Sequence, residues 1–114
     1  MPNIFVHVME GITSEQKNSM VKRITEATSK DVGVPLDFVR IIIMEHPAEN
    51  LAIGGEFFDR GSKIFYPLAT VHTIAGKTDE LLKTISLHVT EAIAEAVECP
   101  EDKIRVYFLE RKLL

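Results

Sequence analysis

A single cysteine, Cys99, occurs in the 114 residues, which excludes a disulfide within the chain and fits a reducing compartment. That thiol is also poorly placed as a nucleophile. It stands beside Pro100, in an expected turn, with Glu98 and Glu101 close in sequence, and acidic neighbours raise a thiol's pKa. No apolar run approaches the roughly eighteen residues that a membrane span needs. The first residues, Met1-Pro2-Asn3-Ile4-Phe5, lack the basic start and long apolar stretch of a secretion signal, so the chain reads as cytoplasmic. Nor is there an excess of basic residues. A formal net charge of −4 argues against a nucleic-acid partner, because phosphate binding wants a basic face. His7 and His72 have no cysteine or second histidine near them in sequence, so no metal site is read from them and structural roles are expected.

What is present is ordinary globular composition, 46% hydrophobic and 26% charged, in a length that suits one domain over 1–114. The informative feature is internal repetition. Residues 2–45 align with 67–110 without a gap, at a constant offset of 65 (67 − 2). Identical pairs include Pro2/Pro67, Val6/Val71, His7/His72, Gly11/Gly76, Thr13/Thr78, Glu26/Glu91, Pro35/Pro100, Arg40/Arg105 and Glu45/Glu110. In all, 14 of 44 positions match, where unrelated sequences of average composition would share about three. The chain is a duplication, with 46–66 joining the copies.

Each copy reads as strand, helix, strand. Residues 3–9 and 68–74 are rich in β-formers and alternate in character. Thr13 caps a first helix, with Gln16 three places on to complete a capping box, and Thr78 caps a second. Met20, Ile24, Ala27 and Val32 form one apolar stripe; Ile85, Val89, Ala92, Ile93 and Ala96 form the other. Pro35 and Pro100 close the helices. Val39–Met44 and Ile104–Leu109 are apolar runs of strand length, expected to be buried on both faces. Residues 50–65, with Gly54-Gly55 and Asp59-Arg60-Gly61, read as a turn and a short hairpin. The fold class is therefore α+β: tandem β-α-β units forming a four-stranded sheet with both helices on one face. The other sheet face, also apolar, has nothing in the chain to cover it, so a homo-oligomer is expected.

Pro2 leading a strand, Glu10-Gly11, the Thr13-capped helix with Glu15-Gln16-Lys17, Val39-Arg40-Ile41, and Asn50-Leu51-Ala52-Ile53-Gly54-Gly55-Glu56 together resemble the 4-oxalocrotonate tautomerases. These belong to the tautomerase superfamily, with its tautomerase/MIF-like fold, and are short β-α-β chains with a catalytic amino-terminal proline. Because both halves carry the pattern, the chain resembles a fused 4-oxalocrotonate tautomerase. Residues 50–107 are also similar, more weakly, to cis-3-chloroacrylic acid dehalogenase. The resemblance implies a homotrimer of fused chains and cofactor-independent keto–enol tautomerase (isomerase) chemistry on a small carboxylate-bearing enol, a 2-hydroxy-dienoate or an arylpyruvate.

It also implies a site. Pro2 matches the catalytic proline, whose amine must be freed by loss of Met1; the plainer reading is that a small second residue merely permits that removal. Pro67 follows Tyr66 in mid-chain, so its nitrogen is an amide without basicity. The position of the family's first substrate-binding arginine is Ile12 in one copy and Lys77 in the other, which makes Lys77 the candidate or else a solvated lysine at a helix start. Arg40 and Arg105 match the other arginine. Lying in apolar strands, each is expected to need an anionic partner, either substrate or Glu45 and Glu110. Leu51 replaces an active-site phenylalanine and keeps an apolar wall. Tyr107 matches a tyrosine of the dehalogenase, with core packing as the alternative. Thr28 stands where hydration-type relatives have a histidine, the sequence ends at Leu114 before their carboxylate, and Ile74 and Lys77 stand at the dehalogenase arginines. These departures argue against dehalogenation. Lyase or hydratase chemistry on an unsaturated or β-keto acid, and a non-enzymatic binding trimer like the macrophage migration inhibitory factor branch, are the alternatives.

Overall fold

A computed structural model of the chain describes residues 2–60 and 64–112. Met1 and Gly61 lie outside the described residues. The elements are β1 (Asn3–Met9), α1 (Ser14–Val32), β2 (Arg40–His46), β3 (Ala52–Ile53), β4 (Glu56–Phe57), β5 (Leu68–Ile74), α2 (Asp79–Val97) and β6 (Arg105–Arg111). Both helices start as the sequence demands. The Gln16 amide donates to Thr13 Oγ1 at 3.1 Å while the Thr13 amide donates to Gln16 Oε1 at 2.8 Å. At α2 the Leu81 amide donates to Thr78 Oγ1, and Leu81 itself cannot return the bond. What stops α1 is Gly33, left-handed at φ 79°, with Pro35 two residues beyond; α2 stops in the same conformation on Glu98, φ 55°.

The four long strands form one sheet in the order β2-β1-β5-β6. β1 runs parallel to β2, β5 parallel to β6, and β1 antiparallel to β5. Two β-α-β units therefore meet along β1 and β5. Ile4, Val6 and Val8 alternate into the core beneath the helices, as do Ala69 and Val71, and they meet Met20, Ile24, Ile85, Val89 and Ile93. In α1 the inward row is Met20, Ile24 and Thr28, one residue round from the expected Ala27. A strict spacing of four carries the polar Thr28 inside.

The runs expected to be buried on both faces are the sheet's edge strands, β2 and β6, and only their helix-facing side is covered. Ile42 is 43% exposed, Leu109 41% and Tyr107 54%. The joining segment forms the expected hairpin: β3 pairs with β4 across Gly54 and Gly55, both at positive φ, the turn that suits a two-residue connection. Among the described residues no helix is long and apolar enough to cross a membrane.

Candidate active site

Strand direction decides which candidates can meet. The register pairs Asn3 with Arg40 on one side and with His72 on the other, and pairs Ile74 with Arg111. The starts of β1 and β2 and the ends of β5 and β6 thus share one end of the sheet. Pro2, Arg40 and Lys77 lie at this end, the last in the loop from β5 to α2. Pro2 is fully buried, and its carbonyl accepts the Arg40 amide at 3.1 Å. Its place in the β1 alternation puts the ring on the helix side, whereas Arg40, in register with Asn3, leaves from the uncovered face.

Arg105 and Leu51 go to the other end. Arg105 pairs with Leu68 beside the buried Pro67, and the hairpin carrying Leu51 leaves from the end of β2, where His46 pairs with Met9. Tyr107 lies between the two ends, opposite Thr70 on the uncovered face. One chain therefore does not gather all six candidate residues.

The anionic partners expected for the arginines are elsewhere. Glu45 pairs with Lys17 of α1. Five residues separate Arg40 from Glu45 and Arg105 from Glu110, an odd number, so in a pleated strand the members of each pair emerge on opposite faces. The Arg105 guanidinium instead donates to the Asp102 carbonyl at 3.0 Å. Both arginines are exposed at strand starts, so neither requires a carboxylate in the single chain.

The uncovered face carries Ile42, Met44, Ile74, Tyr107 and Leu109 among its apolar members. Its arginines and histidines are Arg40, Arg105, Arg111, His7, His46 and His72, without one carboxylate. His7 and His72 have ring partners: His7 stacks on His46, and His72 meets the edge of Phe5 at 4.9 Å. Burial, and secondarily the His46 ring, push the His7 pKa down.

At the Pro2 end the uncovered face opens into a cavity of about 270 Å³ lined by Asn3, Arg40, Thr73, Arg111 and Lys112. Asn3, Thr73, Arg111 and Lys112 belong to no motif legible in the sequence, and the last two lie past residue 110, where the repeat alignment stops. At the opposite end a cavity of about 460 Å³ is walled by Ile12, Phe65, Tyr66, Pro67 and Cys99, with Glu10 and Glu98. Burial pushes the Cys99 thiol up, so the cause is desolvation and not the acidic neighbours. Thr28, at the position of the hydration-type histidine, is 1% exposed and faces the core.

A family model described as Tautomerase enzyme matches residues 2–60. The 2-hydroxymuconate tautomerase of Stutzerimonas stutzeri is 41% identical over 56 residues, which are 49% of this chain and 89% of that one. Over nearly the whole chain the fold is that of the wild-type symmetric trimer of fused 4-OT: TM-score 0.83 and 28% identity, covering 96% of this chain and 85% of the other. N1, a member of the cis-3-chloroacrylic acid dehalogenase family, shares the fold at TM-score 0.82 and 19% identity, covering 96% of this chain and 74% of its own.

Proposed function

Because the chain belongs to the tautomerase family of enzymes, we propose that it is a cofactor-independent keto–enol tautomerase whose general base is the Pro2 amine, freed by loss of Met1. The observation that carries this reading is the placement of a buried Pro2 at the sheet end that also holds Arg40 and Lys77. A free proline nitrogen is a secondary amine. Ordinary α-amino groups titrate at about 7.7–8.0, and both burial and nearby cations disfavour the charged form, so this amine should be a base at neutral pH.

The substrate is a small carboxylate-bearing enol, a 2-hydroxy-dienoate or an arylpyruvate. Pro2 takes the hydroxyl proton, the electron pair moves through the enol to carbon, and the protonated amine returns a proton there, leaving the 2-oxo acid. Lys77 and Arg40 hold the carboxylate and stabilise the developing dienolate oxygen. Lysine offers no bidentate fork, so recognition through Lys77 is looser than an arginine would give.

The apolar uncovered face and the trimeric fused 4-OT relative support a homotrimer of single-domain protomers, and the lone free cysteine fits a cytoplasmic setting. In that assembly Arg105 and Leu51 reach a Pro2 site from a neighbouring copy, since their own Pro2 lies at the other end of the sheet, and Tyr107, midway along the uncovered face, meets the neighbour that covers it. The test compares processed protein with protein retaining Met1, each verified by intact mass, on 2-hydroxymuconate and phenylenolpyruvate. Processed protein should be active, with a rate rising with pH through one ionisation, and the Met1-retaining form inactive. Equal activity of the two forms would remove Pro2 from the mechanism, and no activity in either would favour a binding trimer.

A further inference from the structure

The two ends of the duplicated sheet have diverged in charge, and in one direction. At the Pro2 end stand Arg40, Lys77, Arg111 and Lys112, and no carboxylate lines the cavity there. At the Pro67 end Arg105 keeps the place of Arg40, but Ile12 replaces Lys77, His46 stands at the repeat position of Arg111, Pro47 at that of Lys112, and Glu10 and Glu98 line the cavity. His46 is already engaged with His7 at 2.8 Å. Arg111 has no such partner. No hydrogen bond or ion pair of its guanidinium, or of Arg40's, occurs among the described residues.

The cavity between them draws a wall from each of the four long strands. Arg40 begins one edge strand and Arg111 ends the other, with Asn3 and Thr73 on the central strands between. Thr73 is 3% exposed, and neither its hydroxyl nor the Asn3 carboxamide oxygen has a hydrogen-bond partner among the described residues. Two unpaired guanidinium groups lining about 270 Å³ with no carboxylate beside them form a receptor for anionic oxygens.

We propose that Arg111 is a substrate-binding residue of the Pro2 site: while Arg40 on the far wall holds the carboxylate beside the enol, Arg111 holds a second carboxylate, distal to the enol hydroxyl. Arg111 therefore sets the enzyme's preference for dianionic over monoanionic enols. This rests on the Pro2 reading for its catalytic meaning but not for its binding meaning. A monocarboxylate such as phenylenolpyruvate has no second carboxylate for Arg111 to hold and should not sense it.

The experiment measures Arg111→Gln and Arg111→Lys with both substrates, after sedimentation has shown each variant assembled like the parent. Arg111→Gln should raise KM for 2-hydroxymuconate at least tenfold with kcat within about twofold, and leave phenylenolpyruvate within about twofold on both constants. Arg111→Lys should recover part of the loss. Calorimetric titration with cis,cis-muconate, a dicarboxylate without the enol, reads the same site whether or not Pro2 is the base. There the Gln variant should bind at least tenfold more weakly. Equal losses on the two substrates, or unchanged muconate binding, would overturn the proposal. A fully active Met1-retaining protein with weakened muconate binding in Arg111→Gln would instead overturn the Pro2 reading alone.

Discussion

His7 Nδ1 lies 2.8 Å from His46 Nε2, with the rings stacked 9° from parallel and their centroids 5.1 Å apart. Such a pair shares one proton between donor and acceptor, and a second charge there would meet a like charge at contact distance. The surroundings offer little relief. Met44 of β2 and Leu68 and Thr70 of β5 adjoin His7 on the uncovered face, Arg105 lies beyond Leu68, and Glu45 emerges on the other face. Glu10, whose amide donates to the His46 carbonyl at 3.0 Å, is exposed in the turn beyond β1.

The sign of the pH effect follows. The folded-state pKa of His7 is lowered, so the unfolded chain takes up the proton first, below about 6.5. Stability is complete above that value and declines as pH falls from it towards the lowered folded-state pKa. Covering the face in an oligomer acts in the same direction, because it desolvates His7 further. Assembly should therefore weaken about tenfold or more between pH 7.5 and 5, read by sedimentation at constant ionic strength. A His7→Gln, His46→Gln double variant should lose most of that dependence. A trimer equally tight at both pH values would show that these rings are not in the interface.

Glu98 is the non-glycine residue at positive φ among the described residues, and it occupies the helix-ending position that Gly33 fills in the first copy. A left-handed conformation costs a residue with a β-carbon about 1–2 kcal/mol, partly offset by the greater unfolded-state freedom of glycine. Glu98→Gly should stabilise the fold by about 0.5–1 kcal/mol in urea denaturation. Gly33→Ala should destabilise it by about 1 kcal/mol, and purely through the backbone, since a β-carbon there would meet nothing within 4 Å. A destabilised Glu98→Gly would mean that the carboxylate contributes more than the strain costs.

Much of this architecture is legible in the chain because local signals and the duplication agree. The 3–9 and 68–74 strands, the Thr13 and Thr78 caps and the Gly54-Gly55 hairpin rest on alternation, side-chain capping and positive φ, which are local effects. Face assignment was equally readable and was missed. A separation of five between Arg40 and Glu45 already rules out their pairing within a strand. Thr28 was missed because the choice between two adjacent helix positions depends on how the helix sits against the sheet. Arg111 was invisible because its meaning lies in its neighbours across the sheet, Ile74 and, through the cavity, Arg40. No sequence spacing encodes that.

The separation of Arg105 from its own Pro2 gives a subunit-mixing experiment. Pro2→Ala and Arg105→Ala chains should each be impaired alone, the second by about tenfold or more in kcat/KM. Refolded together at equal concentration, about a quarter of the sites should combine an intact Pro2 with a neighbour's intact Arg105. Recovery towards that fraction supports a shared site. If mixing restores nothing beyond the Arg105→Ala activity, Arg105 is confined to its bond with the Asp102 carbonyl and is structural.

Pro67 supplies the opposite control, because the duplication gave it the strand position of Pro2 without the chemistry. Its ring is buried at the start of β5 as the Pro2 ring is at the start of β1. Its nitrogen, however, is acylated by Tyr66, so its lone pair is delocalised into the amide and cannot accept a proton at neutral pH. Arg105 starts beside it as Arg40 does beside Pro2, but Ile12 stands in the place of Lys77 and Glu98 adds a carboxylate. Pro67→Ala removes buried ring carbons and relaxes the backbone, which should cost about 1–2 kcal/mol of stability. For a domain of this size that lowers Tm by several degrees, about 4–8 °C for each kcal/mol. Turnover should stay within about twofold of the parent at 25 °C, whereas Pro2→Ala, which leaves a primary amine in place of the secondary one, should lose most of it. A Pro67→Ala protein that remains folded and trimeric yet falls as far as Pro2→Ala would place chemistry at the second end and undo the asymmetry argued for the two sites.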